Sequence, residues 1–122
     1  MKIRIIDSDA QKCKITRQIL ESLPDWFGIP EAIDEYVTES KGKLFFCAYH
    51  DERPIGFLYL KETGRHTVEL AVMGILKEHH RCGIGRKLFK EALRAAKQNG
   101  YLFMQVKTVQ MGRYDVYDGT NK

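Results

Sequence analysis

The sequence predicts one mixed α/β (α+β) domain spanning residues 1–122, a sheet of about five strands with helices on both faces. Three observations carry that prediction. A mostly apolar, partly β-branched run from Val68 to Leu76 reads as a buried central strand. A turn bearing Gly83 and Gly85 follows, and then Leu88, Ala92, Ala95 and Ala96 recur at helical spacing with Lys and Arg between them. Beyond that helix, Leu102 to Val109 reads as another strand, which a helical connection forces to run parallel to the first.

The remaining elements follow in order. Ile3 to Ile6 is a short strand with Ile3 and Ile5 on one face. Asp7 and Ser8 offer capping oxygens to a helix from about Ala10 to Leu23, with Ile15, Ile19 and Leu23 as its apolar stripe and Pro24 as its end. The aromatic connection Asp25-Trp26-Phe27-Gly28-Ile29-Pro30 leads into a second helix, whose inner face is Ala32, Ile33, Tyr36 and Val37 and which Lys41-Gly42-Lys43 closes. Leu44–Tyr49 and Pro54–Leu60 are strands joined by the polar turn His50-Asp51-Glu52-Arg53. Gly56, inside the second of them, implies a bulge or a close backbone approach. Thr63-Gly64-Arg65-His66 turns into the central strand, completing an antiparallel meander. The helix after the glycine turn stops at Asn99-Gly100.

Composition narrows the function classes. The net charge of +4 is modest and spread over amphipathic segments, not gathered in the stripe with interleaved aromatics of a nucleic-acid surface. No run approaches the roughly 18 apolar residues of a membrane span, and the N-terminal residues read as a strand and not as a signal peptide, so the expectation is a cytoplasmic protein with no membrane partner. Cys13, Cys47 and Cys82 are odd in number and scattered, which fits a reducing compartment and neither a disulfide framework nor a Cys-x-x-Cys metal site. The four histidines do not fall at ligand spacing, and no metal is expected.

The strand–glycine turn–helix stretch is the candidate site. A helix starting at the turn aims free N–H groups and its positive dipole end at whatever lies above, which describes a phosphate site, although many such turns bind nothing. His80, Arg81, Arg86 and Lys87 gather positive charge around it. A nucleotide loop of P-loop type is disfavoured, because no Gly-Lys-Ser/Thr follows the turn.

His80-Arg81-Cys82-Gly83-Ile84-Gly85 resembles the Gln/Arg-x-x-Gly-x-Gly/Ala motif of the GNAT superfamily of acetyl-CoA-dependent acyltransferases, with His80 in the first place. Gly74 to His79 looks like that family's strand end, and Gly85-Arg86-Lys87-Leu88-Phe89 like the start of its helix. The element order matches over nearly the whole chain.

The resemblance implies acetyl-CoA as cofactor. Amides from Cys82 to Arg86, including Gly83, Ile84 and Gly85, would hold the pyrophosphate beside His80 and Arg81, and backbone groups near Met73, Ile75 and Leu76 would pair with the pantetheine arm where the fourth and fifth strands splay. Glu69 falls where several members carry a general base for an attacking amine, its other reading being a solvent-facing acid on a half-covered sheet. Glu62 is a weaker candidate. Trp26 and Phe27 lie in the region that shapes the acceptor site, or they plug the core under a loop. The implied activity is direct transfer of an acetyl group to a primary amine on a small molecule or peptide. The alternative is a non-catalytic CoA-binding or self-associating remnant of such an enzyme.

Departures from the family's pattern set further expectations. Its last helix and two strands have no counterpart before Lys122, so the domain reads as C-terminally incomplete, with Tyr114 or Tyr117 as stand-ins for the tyrosine that protonates the CoA thiolate. The fifth strand, with Leu102, Met104, Val106 and Val109, would be an uncovered apolar edge, which predicts a homo-oligomer.

Overall fold

A computed structural model describes residues 1–24, 27–80 and 83–106. The elements are β1 (Lys2–Ile6), α1 (Asp9–Glu21), α2 (Pro30–Glu39), β2 (Leu44–His50), β3 (Arg53–Gly64), β4 (Thr67–Ile75), a 3-10 turn at Lys77–His79, α3 (Ile84–Gln98) and β5 (Phe103–Val106). The five strands lie in chain order in one sheet. Pairing is antiparallel from β1 to β4 and parallel between β4 and β5, as a helical crossover requires. Among the described residues, no helix is long and apolar enough to cross a membrane.

Local chemistry fixes the ends of the helices. Ser8 caps α1 by accepting from the Gln11 N–H at 3.3 Å. Pro30 opens α2, where its fixed φ suits the first helical position and its missing N–H costs nothing. Gly100, at φ +89°, turns the chain out of α3.

Two cores sandwich the sheet. On one face α1 and α2 bury Ile15, Ile19, Leu20, Ile33 and Val37 against Phe45, Cys47, Phe57, Tyr59 and Val72. On the other, Leu88, Ala92, Ala95 and Ala96 of α3 meet Phe46, Ala48, Leu58, Leu60 and Val68. The small side chains of α3 let that helix lie close to the aromatic and branched residues of the strands.

Several boundaries differ from the sequence reading. β3 continues four residues past Leu60, because polar Lys61 and Glu62 keep their backbone pairs with Glu69 and Val68 even though hydrophobicity has ended. On β1 the buried residue is Ile6, which faces the α1 core, while Ile3 is half-buried against the α3 core and Ile5 is 53% exposed. The β2–β3 turn is made by Asp51 and Glu52 at φ +53° and +67°, so two non-glycine residues take the left-handed conformation that a tight hairpin demands. β5 is described as Phe103–Val106, with Leu102 and Phe103 exposed at its start. Val109, Tyr114 and Tyr117 lie outside the described residues, as do Trp26, Arg81 and Cys82.

Two irregularities matter for the site. Ala48 pairs with Gly56 and Tyr49 with Pro54, so Ile55 is an extra residue in β3. Tyr59 pairs with Val72 and Leu60 with Leu70, so Ala71 is an extra residue in β4. Val68 and Leu70 therefore face the α3 core, Ala71 and Val72 both turn to the α1 core, and Met73 and Ile75 return to the α3 side.

Candidate functional site

The bulge at Ala71 divides β4 into two halves. From Thr67 to Leu70 the strand is paired on both edges, with Phe103–Val106 of β5 outside it. From Ala71 to Ile75 no strand among the described residues takes up the outer edge. Antiparallel alternation states which groups face that edge. Leu76 donates its N–H to Ile55 O at 2.9 Å, so Leu76, Gly74 and Val72 point their main-chain groups at β3, and Met73 and Ile75 point theirs outward. Leu76 is thus internally satisfied: its carbonyl also accepts from the His79 N–H at 2.9 Å. Of the three residues the sequence reading placed against an extended ligand, Met73 and Ile75 have outward-facing groups and Leu76 does not.

Past the end of β4 the chain makes a compact return to α3. The 3-10 turn Lys77–His79 closes with His80 N–H on Lys77 O at 3.2 Å, and the His80 ring lies back against the strand, Nε2 2.8 Å from Ile75 O. The His79 ring stands 6.0 Å from that of His50 at the β2–β3 hairpin, so this turn rests on the neighbouring loop.

The start of α3 is shaped for an anion. Gly83, at φ +79°, is its N-cap and has open space where a Cβ would be. Lys87 N–H is the first to find a carbonyl within the helix, that of Gly83 at 3.1 Å, so the N–H groups of Ile84, Gly85 and Arg86 have none by helix geometry. The first turn holds no acidic residue, and Arg86 and Lys87 are exposed there. Cations at the positive end of a helix are disfavoured by roughly 0.3–1 kcal/mol each, a cost that a bound anion reverses. Gly85 lies over Met73, and Gly56 lets Ile75 and Ile84 close over β3, since a Cβ there would meet Ile75 Cδ1 at 2.9 Å. Glycines thus let turn, strand and helix converge on a single ledge.

Glu69 lies lower on β4, on the α2 side of the sheet, paired across the strands with Lys61 and Gln105. It is half-buried. At about 3.3 Å per residue it stands about 20 Å along the strand from Ile75. Its cross-strand partner Lys61 belongs to a polar group that the sequence does not signal. Lys61 pairs with Glu39 at 3.2 Å, and the Tyr59 hydroxyl donates to Tyr36 O at 2.7 Å and to Glu39 Oε1 at 3.3 Å. The Glu39 carboxylate raises the Lys61 pKa, while burial, followed by the charge of Glu39, pushes the Tyr36 and Tyr59 hydroxyls up. Lys61 is therefore firmly cationic and the tyrosines firmly neutral at pH 7. No periodicity in the sequence signals that the end of α2 lies over β3 and β4. Glu62, the weaker candidate, is exposed at the far end of β3.

Phe27 is half-buried against the α1–α2 core, edge-on to Tyr36 at 6.0 Å between ring centroids. It packs the start of α2 against the sheet on the side that carries Glu69. Among the described residues, no group of three or more His, Cys, Asp or Glu side chains is placed to hold a metal ion.

The profile of the acetyltransferase (GNAT) family matches residues 6–118. The chain belongs to the GNAT acetyltransferase family. It is thus an acyltransferase, in a family whose cosubstrate is acetyl-CoA. Solved GNAT structures share its fold. A GNAT-family protein from Desulfovibrio desulfuricans, 19% identical, superposes with a TM-score of 0.77 over 98% of this chain and 78% of its own. The PaiA N-acetyltransferase of Thermoplasma acidophilum, solved with coenzyme A, is 20% identical with a TM-score of 0.70 over 98% and 89%. A GNAT acetyltransferase from Brucella melitensis, solved with acetyl-CoA, is 18% identical with a TM-score of 0.68 over 96% and 82%. The mixed five-stranded sheet with helices on both faces is the GNAT fold expected from the sequence.

Proposed function

We propose that this GNAT domain binds acetyl-CoA along the β4–α3 unit and transfers the acetyl group directly to a primary amine of a small molecule or peptide. The observation that carries this reading is the continuity of the ledge. An uncapped helix start with an open left-handed glycine adjoins a strand edge whose Met73 and Ile75 groups face outward. An anion followed by an amide-bearing extended arm fits that sequence of groups. Gly83, Ile84, Gly85 and Arg86, together with Arg81 and Cys82 in the motif, hold the pyrophosphate, and Met73 and Ile75 hold the arm.

Bound acetyl-CoA supplies a thioester carbonyl whose C–S bond breaks as the C–N bond to the amine forms. The chain's own contribution is to receive the proton that the attacking amine loses. Glu69 is the carboxylate on β4 on the side of Tyr36 and Phe27, and it takes that proton directly or through a water. Trp26 and Phe27 border the acceptor. Lys61 lies across the strands from Glu69, and the Glu69 charge adds to that of Glu39 in holding Lys61 cationic.

Calorimetric titration with acetyl-CoA tests the cofactor site, comparing wild type with Gly83→Glu and Gly85→Glu. Each substitution puts bulk and negative charge over the turn, so both variants should lose binding. Equal affinity in all three removes the assignment. Release of free CoA thiol across a panel of amines then tests transfer, and binding without release under any of them favours a non-catalytic CoA-binding domain.

Self-association belongs to the same reading, favoured by Leu102 and Phe103, which are 70% and 65% exposed at the start of β5. Sedimentation showing only monomer at micromolar concentration would remove it.

A further inference from the structure

The outer edge of β4 is not open along its whole length. Ile75 C=O is the last carbonyl that faces outward, and the His80 side chain has come back to it. A carbonyl only accepts, so the ring nitrogen 2.8 Å away, Nε2, carries the proton and donates it. The next carbonyl, that of Leu76, accepts from His79 N–H inside the turn. From Met73 onward, the outward groups that remain among the described residues are Met73 N–H, Met73 C=O and Ile75 N–H.

That set has a defined register. The arm enters from the α3 end and runs towards Glu69, opposite in direction to β4, so it pairs as an antiparallel strand does: the N–H of one of its amides and the C=O of the next face the C=O and N–H of a single strand residue. Met73 C=O and Met73 N–H are such a pair, and the groups of the next residue, Gly74, face β3. The slipped alternative, two residues or about 7 Å towards the helix, would begin with a ligand N–H on Ile75 C=O. His80 already holds that acceptor.

We propose that His80 is a positioning residue that fixes the register in which the amide-bearing arm of acetyl-CoA pairs with β4. The proposal rests on the cofactor reading given above. By capping Ile75 C=O, the imidazole stops the ladder at Ile75 N–H, so the thioester end of the arm arrives at one depth along the strand, on the way to Glu69. The histidine acts through the strand edge and takes no part in the chemistry. A side chain with no N–H donor leaves Ile75 C=O free and gives the arm two registers.

The test uses the full chain with acetyl-CoA carrying a carbon-13 label in its acetyl methyl group, read by NMR. Wild type should show a single bound methyl signal, and so should His80→Gln, whose amide keeps an N–H donor. His80→Ala and His80→Leu, the second retaining side-chain volume, should show two bound methyl signals or one broadened by exchange. Their affinity for adenosine 3′-phosphate 5′-diphosphate, the nucleotide part without the arm, should be unchanged. A single sharp signal at the wild-type position in folded His80→Ala and His80→Leu overturns the proposal. Equal loss of affinity for acetyl-CoA and for the nucleotide fragment also overturns it, because His80 would then only shape the turn. Failure of wild type to bind acetyl-CoA removes the cofactor reading itself, and this proposal with it.

Discussion

Gly85 lies against Met73, where a Cβ on the glycine would meet the methionine Cε at 3.6 Å and Sδ at 3.7 Å. These are ordinary contact distances, so alanine fits there, and it gains up to about 1 kcal/mol of helix propensity. Gly85→Ala should therefore melt at or above the wild-type temperature. Gly83 differs: it has room, but its φ of +79° strains any side chain by about 1–2 kcal/mol. Gly83→Ala should lower stability by roughly that amount in urea titration. Equal stability of the two variants would mean that backbone conformation at the helix start is not what requires Gly83.

Glu69 and Lys61 are paired across β4 and β3, and Lys61 in turn is bound to Glu39. If Glu69 is the base, Glu69→Gln should reduce kcat by about 100-fold or more at neutral pH with any amine that wild type acetylates, while the acetyl-CoA KM changes little. The side chain is half-buried and glutamine keeps its shape, so the fold should survive, as circular dichroism would show. Unchanged kcat would return Glu69 to a structural role beside Lys61.

The parts of this fold that repeat were legible in the sequence, and the parts that break repetition were not. The period of Leu88, Ala92, Ala95 and Ala96 and the glycines at 83 and 85 marked α3 and the glycine turn at its start from local chemistry alone. The bulge at Ala71 left no local mark. An alanine in a β-branched run fits a regular strand equally well, and the register shift appears only against Tyr59 and Leu60. The His80 bond to Ile75 O was equally hidden, because it depends on how tightly residues 77–79 turn. The same limit applied to the polar group of Tyr36, Glu39, Tyr59 and Lys61, which forms only when α2 lies over the sheet.

Gly74 allows α1 to sit directly on β4. A Cβ there would lie 3.0 Å from Phe57 Cε1, 3.2 Å from Leu20 Cδ2 and 3.3 Å from Ile19 Cγ2, in the middle of a packed core. Phe57 and Leu20 are fully buried and cannot easily give way. Gly74→Ala should destabilise by about 1–3 kcal/mol in denaturant titration. A loss under 0.5 kcal/mol would show that α1 can lift away from β4 without penalty.

Thr16, on the same helix, is fully buried, and its Oγ1 has no hydrogen-bond partner among the described residues. Burying an unpaired hydroxyl costs about 1–3 kcal/mol, and valine has nearly the same shape without that cost. Thr16→Val should raise the urea midpoint, by an amount equivalent to about 1 kcal/mol. A lowered midpoint would indicate that the hydroxyl is paired in solution.

Cys47 lies on the inner face of β2 with no exposed surface, and burial pushes its thiol up to about 12. An unfolded chain loses that proton near pH 8.5, whereas the folded one keeps it. The unfolded state therefore binds fewer protons above pH 8.5, and stability falls as pH rises from there towards 12. The slope from this one group approaches about 1.4 kcal/mol per pH unit. Tyr59, whose hydroxyl burial also pushes up, adds to the loss only near and above pH 10. Between pH 8.5 and 9.8 the thiol is the main buried group involved, and Cys47→Ala, although less stable at pH 7, should show a flatter decline in urea midpoint over that interval. A decline as steep as that of wild type would assign the alkaline loss to other groups.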